Sequence, residues 1–346
     1  MPVHFVLEAV LGLVPVLAFL ATLLYFDSFK LVDFTTILMV LAFGAGAGAA
    51  SYFVSGLMLD ALHISFAQYS RYAAPFVEEG LKAAVIIWFF SRDRIGFMVD
   101  AAIVGVAVGA GFSLFENIYY AYVFPEADVG VWIVRGFGTA IMHGGVAAIF
   151  ALTAQILRER HSETGVLAFL PGFILAASLH SMFNQFTAWP LYSAAATIII
   201  LPVALLLIFD KSEHAVHDWL LQDYDTHAKL LEAIRDGDFT HSEAARFIQT
   251  LAAKLPHAVV VDIYAYIKLH TELVLRAEKI LLAREAGSAI PPVHADEEHF
   301  KKLHVLERRI GRAAMLTVWP HLKFSHQELF ELHQLEHRAR HAQTQP

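Results

Sequence analysis

Long apolar runs follow one another through the first part of the chain and stop near residue 210. Each has about the 17–25 residues that a membrane-spanning helix requires. They predict about seven transmembrane helices, near residues 4–27, 33–60, 75–91, 98–124, 131–157, 166–188 and 191–209. After residue 210, polar and apolar positions alternate at the spacing of amphipathic helices. We therefore predict an all-α protein, with a polytopic transmembrane domain over residues 1–210 and a cytoplasmic α-helical domain over residues 211–346.

The charges between the apolar runs predict the orientation of the bundle. The loops on one side contain Arg71 and the acidic stretch PEADVG (125–130). The loops on the other side contain a set of basic residues: Lys30, Arg92, Arg94, Arg158, Arg160 and Lys211. Loops rich in Lys and Arg stay in the cytoplasm. The N-terminus is therefore predicted outside the membrane and the domain after residue 210 inside the cell.

Composition narrows the classes of partner and of chemistry. The chain is 57% hydrophobic and 17% charged, which agrees with residence in a lipid bilayer. Its net charge is −8 and it has no basic block, so no nucleic-acid partner is expected. It has no cysteine, which excludes a thiolate nucleophile and a Cys-ligated metal site.

Polar side chains within four of the apolar runs are the candidates for chemistry. They are Glu78, Glu79, Lys82, Glu116, Asn117, His143, His180 and Asn184. A charge inside a bilayer costs a few kcal/mol, so each needs a reason to be there. At a rise of about 1.5 Å per residue, the carboxylates and histidines lie between about 5 and 18 Å from the outer ends of their helices. We therefore expect them to converge in the outer half of the membrane, although a single one could be a satisfied interior group.

The residue types favour hydrolysis, by one of two arrangements. In the first, one of Glu78 and Glu79 deprotonates water while Lys82 holds the other, and Asn184 steadies the oxyanion. In the second, a trio of metal ligands could hold Zn²⁺ with an open position for water. The trio predicted is Glu116, His143 and His180.

At these residues the chain resembles the PrsW family of intramembrane proteases, which is distantly similar to the CAAX prenyl endopeptidases. EEGLK fits an EExxK motif and FSLFEN an FxxxEN motif, and His143 and HSMFN (HxxxN) follow in order over about residues 70–200. The resemblance implies an endopeptidase of the bacterial cytoplasmic membrane. It implies a single-pass, membrane-anchored substrate similar to an anti-sigma factor, and a water activated by glutamate or by metal.

Two other functions could use the same polar side chains within the apolar runs. A seven-helix, zinc-dependent lipid amidase also places His and carboxylate ligands in a membrane bundle. A transporter or receptor could use these side chains as an ion relay. The domain after residue 210 is expected to regulate the membrane part, to recruit a cytoplasmic partner or to self-associate. HQLEH (333–337) matches a metalloprotease pattern, but its polar surroundings predict a solvated helix surface.

Overall fold

The computed structural model is helical wherever it is described, with no strand in that part of the chain. This confirms the all-α prediction. The described residues are 3–27, 29, 32–160, 165–185, 189–236, 255–289, 296–311, 314–315 and 326–341. The main helices are α1 (Val3–Phe26), α2 (Phe34–Leu62), α3 (Ala74–Ser91), α4 (Met98–Val123), α5 (Ile141–Arg160), α6 (Leu170–Gln185), α7 (Pro190–Asp236), α8 (His257–Glu285), α9 (Asp296–Ile310) and α10 (His326–His341).

Within these ranges, five helical stretches are long and apolar enough to cross a membrane. They are Phe34–Leu62, Met98–Val123, Val129–Glu159, Gly165–Gln185 and Pro190–Glu232, and Val10–Phe26 is a shorter apolar helix. Helix α3 is 18 residues long but carries three charged side chains, which lowers its hydropathy. The membrane bundle is therefore confirmed in outline. The count of seven spans and the orientation stay predictions, and Lys30, on which the orientation partly depends, lies outside the described residues.

Helix α4 is the centre of the membrane bundle. It is buried without interruption from Val99 to Ser113 and packs against α1, α2 and α5. Its sequence there is built mainly from Ala, Val, Ile and Gly, so it has no polar face to present to water. A helix that is apolar on all sides is stable only when it is surrounded.

Glycines allow the backbones of the central helices to approach closely. A Cβ atom at Gly109 of α4 would collide with the carbonyl group of His143 on α5, and one at Gly44 of α2 with the carbonyl group of Val108. These two glycines therefore have a packing role, because small residues at a helix interface let the backbones approach. Gly46 has no such role among the described residues, since a Cβ atom there would have only open space within 4 Å.

Two π-helical segments interrupt the regular helices of the bundle. Tyr69–Ala73 leads into α3, and Val134–Ala140 leads into α5. The span predicted over 131–157 is therefore not one regular α-helix. π-Helical turns are rare and occur frequently at functional sites, and both segments contact the polar side chains described below.

The chain divides into two compact units, Met1–Glu213 and His214–Pro346. Helix α7 does not end at residue 209 as its apolar run predicted, but continues to Asp236. The sequence from 203 to 236 contains neither Gly nor Pro and keeps helical spacing after the apolar run ends, so nothing stops the helix. In the second unit, Ile267 and Val274 of α8 pack with Phe300 of α9 and Leu335 of α10 in a hydrophobic core.

Candidate active site

A buried ion pair marks the first turns of α3. Pro75 lies in the first helical turn, after the π-helix Tyr69–Ala73, and Glu79 and Lys82 follow on one face of the helix. Their side chains are 2% and 1% exposed, and Lys82 Nζ lies 2.5 Å from Glu79 Oε1. Neither charge would be tolerated alone at such burial, because removing one partner leaves the other uncompensated. The predicted pairing of Lys82 with one of the two glutamates is the arrangement seen.

His180 of α6 lies between the two adjacent glutamates. Its Nδ1 lies 2.7 Å from Glu79 Oε1, and its Nε2 lies 3.8 Å from Glu78 Oε2. The shorter contact orients the imidazole, and the other ring nitrogen points to the second carboxylate. A histidine that ligates a metal usually has one ring nitrogen bonded to a carboxylate in this way.

His143 of α5 has the same kind of environment, with other partners. Its Nε2 lies 3.2 Å from Glu116 Oε2, and its Nδ1 lies 2.9 Å from Lys82 Nζ. The imidazole is perpendicular to that of His180, with ring centroids 4.8 Å apart. Phe112 packs against both the His143 ring and the Lys82 ammonium group, so one apolar face covers this side of the site.

Arg135 belongs to the same assembly, although it was not singled out from the sequence. It lies on the π-helix Val134–Ala140, and its Nη2 is 3.2 Å from Glu116 Oε2. Its Nε donates to Asn117 Oδ1 at 2.8 Å, and its guanidinium lies 3.7 Å from the ring centroid of Tyr120. The signal was present, since Arg135 is a charged residue inside a predicted span.

Together these side chains form two series of contacts of the same kind, each running from a cation through a carboxylate to a histidine. Lys82 pairs with Glu79, which contacts His180; Arg135 pairs with Glu116, which contacts His143. We call Glu78, Glu79, Lys82, Glu116, Arg135, His143 and His180 the carboxylate–histidine network. Glu78 differs from the other two glutamates, because it forms no ion pair with Lys or Arg among the described residues. It is 16% exposed, whereas Glu79 is buried.

The two asparagines lie at the edge of this network. Asn117 donates from Nδ2 to the carbonyl oxygen of Gly12 at 2.7 Å, so it ties α4 to α1 while it accepts from Arg135. Asn184 donates from Nδ2 to the carbonyl oxygen of Ser70 at 2.9 Å, within the first π-helix. That bond uses one of the two N–H donors of the Asn184 amide, and the predicted oxyanion role would use the other.

The residues of the network fit a metal ion. Glu78, His143 and His180 each offer one ligand atom, and these atoms all lie within 4.8 Å of one another. Two imidazoles and a carboxylate are a recognised donor set for catalytic Zn²⁺, whose ligand atoms lie about 3.4 Å apart at bond lengths of about 2.1 Å. To hold an ion, these atoms would move closer together, and His143 would exchange one of its two ring-nitrogen contacts, with Lys82 or with Glu116, for the metal. Glu116, which was predicted from the sequence as a member of the trio, instead contacts His143 and Arg135.

The family model described as PrsW family intramembrane metalloprotease matches residues 33–209 of the chain. The match covers slightly more than half of the 346 residues. It contains α2 to α6, the membrane part of α7 and every residue of the carboxylate–histidine network. No curated protein and no solved structure gives a significant match.

Proposed function

The chain belongs to the PrsW family of intramembrane metalloproteases, and we propose that it cleaves a single-pass, membrane-anchored protein in the outer half of a bacterial cytoplasmic membrane. It is a multi-pass membrane protease by its family and its apolar helices. The observation that carries the proposal is the carboxylate–histidine network within the matched region. The orientation follows from the loop charges, which predict the N-terminus outside and the C-terminal unit in the cytoplasm.

The division of roles among the glutamates follows from their partners. Glu79 is held by Lys82 and His180, and Glu116 by Arg135 and His143, so these two carboxylates position the imidazoles. Glu78 is left to react. We propose that Glu78 is the general base that accepts a proton from the attacking water. A general base must be within reach of water, and Glu78 is 16% exposed.

The same three residues that meet in the centre would hold the metal: Glu78, His143 and His180. Zn²⁺ bound there would supply Lewis acidity toward the peptide carbonyl and acidify water. A carboxylate has two oxygens, so Glu78 can hold an ion through one and accept a proton at the other. Lys82 and Arg135 keep the two supporting carboxylates charged and in place, which fixes both imidazole rings.

The substrate must reach this network from the lipid. The network lies among helices whose apolar residues face outward, as in the exposed Phe76 of α3 and Leu175 of α6. A substrate that is itself a membrane-anchored helix can approach such a surface without leaving the bilayer. We propose a single-pass protein of the anti-sigma-factor type, cleaved where its helix unwinds to present a peptide bond.

The test is cleavage by the purified full chain in liposomes that contain candidate single-pass proteins. Glu78→Gln keeps the side-chain shape but removes the base, and should lower the cleavage rate by about 10²- to 10⁴-fold. Glu126→Gln is the matched control, because Glu126 is exposed in the loop after α4. Full cleavage by Glu78→Gln, or hydrolysis of lipid amides instead of peptide bonds, would overturn the proposal.

A further inference from the structure

A second group of acidic side chains and a histidine is buried in the C-terminal unit, within His214–Pro346. It draws on three helices: Asp223 and His227 of α7, Glu278 of α8, and Glu328 and Glu331 of α10. Residues three or four apart share a helix face. The two residues of α7 and the two of α10 can therefore each point into one space. We call these five residues the inter-helix acidic cluster.

His227 lies at the centre of the inter-helix acidic cluster. Its Nδ1 is 2.8 Å from Glu278 Oε1, and its Nε2 is 3.7 Å from Glu328 Oε1. Asp223, His227 and Glu328 each present a ligand atom, and the three atoms lie within 4.8 Å of one another. The imidazole is thus set between carboxylates on two other helices. One of its nitrogens is held by Glu278 and the other faces Glu328.

The carboxylates of this cluster are buried with hydrogen-bonding capacity unused. Glu278 is 0% exposed and Glu331 is 2% exposed. Both carboxylate oxygens of Glu331, Oε2 of Glu278 and Oδ2 of Asp223 have no hydrogen-bond partner among the described residues. A buried polar group without a partner is costly, and a buried charge without one is more so. Glu331 in particular needs a ligand that the described part of the protein does not supply.

The local charge balance indicates which ligand that is. Asp223, Glu278 and Glu331 form no ion pair with Lys or Arg among the described residues. Within that part of the chain, His227 is the basic group that contacts Glu278. The three carboxylates Asp223, Glu278 and Glu331 therefore outnumber the positive charge beside them even when the imidazole is protonated. A divalent cation would satisfy the unused oxygens and cancel the excess charge together.

We propose that the inter-helix acidic cluster binds a divalent first-row transition-metal ion through Asp223, His227 and Glu328, whose ligand atoms lie within 4.8 Å of one another, with the buried carboxylate of Glu331 completing the site. Carboxylates together with one imidazole suit Mn²⁺, Fe²⁺ or Zn²⁺ better than they suit Mg²⁺ or Ca²⁺, which take oxygen ligands alone. Sites of this kind are built in helical bundles from side chains on facing helices. The ion would join α7 to α10 and so stabilise the C-terminal unit. This site is separate from the carboxylate–histidine network and does not depend on the proposed function.

The first measurement is metal binding by the chelator-treated full chain in detergent, with Mn²⁺ and Zn²⁺ as probes and Mg²⁺ as the comparison. Glu331→Gln should weaken the binding of one equivalent by at least about 10-fold, since a metal-site carboxylate is lost. Glu232→Gln is the matched control on the exposed surface of α7. His180→Ala changes the carboxylate–histidine network and should leave the metal equivalent of the inter-helix acidic cluster bound, which separates the two sites. Equal binding by wild type and Glu331→Gln would overturn the assignment.

A second measurement separates a metal ligand from a merely structural residue. In the metal-free protein, Glu331→Gln removes a buried ionisable carboxyl group that has no partner among the described residues, so its melting temperature should be higher than that of the wild type. Added Mn²⁺ or Zn²⁺ should raise the melting temperature of the wild type by more than that of the variant at the same metal concentration. If metal raises both equally, or neither, the inter-helix acidic cluster is not a metal site.

Discussion

Replacing Lys82 by Met tests whether the ion pair in α3 supports the active site. Met has nearly the length of Lys but no charge, so the substitution removes the ammonium group and little volume. Glu79 would lose its 2.5 Å partner and remain buried at 2% exposure. His143 would lose the contact at its Nδ1. The substitution therefore creates an uncompensated buried carboxylate beside both imidazoles.

The magnitude follows from the partners that Lys82 has. It makes two buried contacts, to Glu79 and to His143. Hydrogen bonds to charged groups contribute about 1.5–3 kcal/mol each, so two of them give about 3–6 kcal/mol. Removing one partner of a buried ion pair costs about 3–5 kcal/mol. We expect Lys82→Met to lower the free energy of unfolding by about 3–5 kcal/mol and to abolish cleavage.

The assay is a double-mutant cycle with Glu79→Gln, followed by denaturation of the detergent-solubilised protein. The double variant has no buried charge at either position, so it should regain most of the stability lost by Lys82→Met. It should not regain cleavage, because Glu79 no longer positions His180. Lys211→Met, at an exposed position, controls for the loss of one positive charge. Additive effects of the two substitutions, with wild-type stability in Lys82→Met, would refute this reasoning.

Three further predictions concern other parts of the chain. Arg135→Gln should lower kcat by about 10- to 100-fold with little change in KM, measured by steady-state cleavage kinetics. The substitution removes the ion pair that holds Glu116, and Glu116 orients the imidazole of His143. Gly109→Ala should cost about 1–3 kcal/mol in thermal unfolding, because its Cβ meets the α5 backbone, whereas Gly46→Ala in open space should not. Burial raises the pKa of Glu331 well above its usual range, and nearby carboxylates raise it further. The stability that this group contributes is therefore present below its ordinary pKa and lost as pH rises through the folded-state value. In metal-free protein the stability advantage of Glu331→Gln should grow between about pH 5 and pH 8, and thermal melts at each pH measure it.

The polar residues of the network could be predicted from the sequence because charges in apolar runs are expensive. Glu79, Lys82, His143 and His180 were singled out on that ground, and they lie in direct contact. Arg135 carries the same signal, a charge within an apolar run, but the span around it is predicted as one regular helix and not as the π-helix that places its guanidinium. The catalytic roles of all these residues stay predictions.

Other features depend on long-range contacts that no local pattern encodes. Adjacent glutamates point about 100° apart on a helix, but only the position of His180 shows which of them is held and which is left to react. The bond from Asn184 to Ser70 depends on a π-helix, for which the sequence has no distinctive pattern.

In the C-terminal unit too, the burial of a residue depends on long-range contacts that its local sequence does not show. The solvated surface predicted for HQLEH holds for the exposed His337, but it is wrong for Leu335, which lies in the hydrophobic core, and His333 and Glu336 are half-buried. Glu331 lies just before this stretch, and its polar surroundings give no sign of burial. It is buried because α7 and α8 supply the other walls of its site, and these helices are distant in sequence.

The central claim is that the carboxylate–histidine network hydrolyses peptide bonds with a metal held by Glu78, His143 and His180. The most direct measurement is cleavage and metal content, determined together on wild type, His143→Ala, His180→Ala and the control Glu126→Gln. We predict that each histidine variant loses one metal equivalent and its cleavage, whereas the control keeps both. Cleavage at the wild-type rate by either histidine variant would contradict the claim.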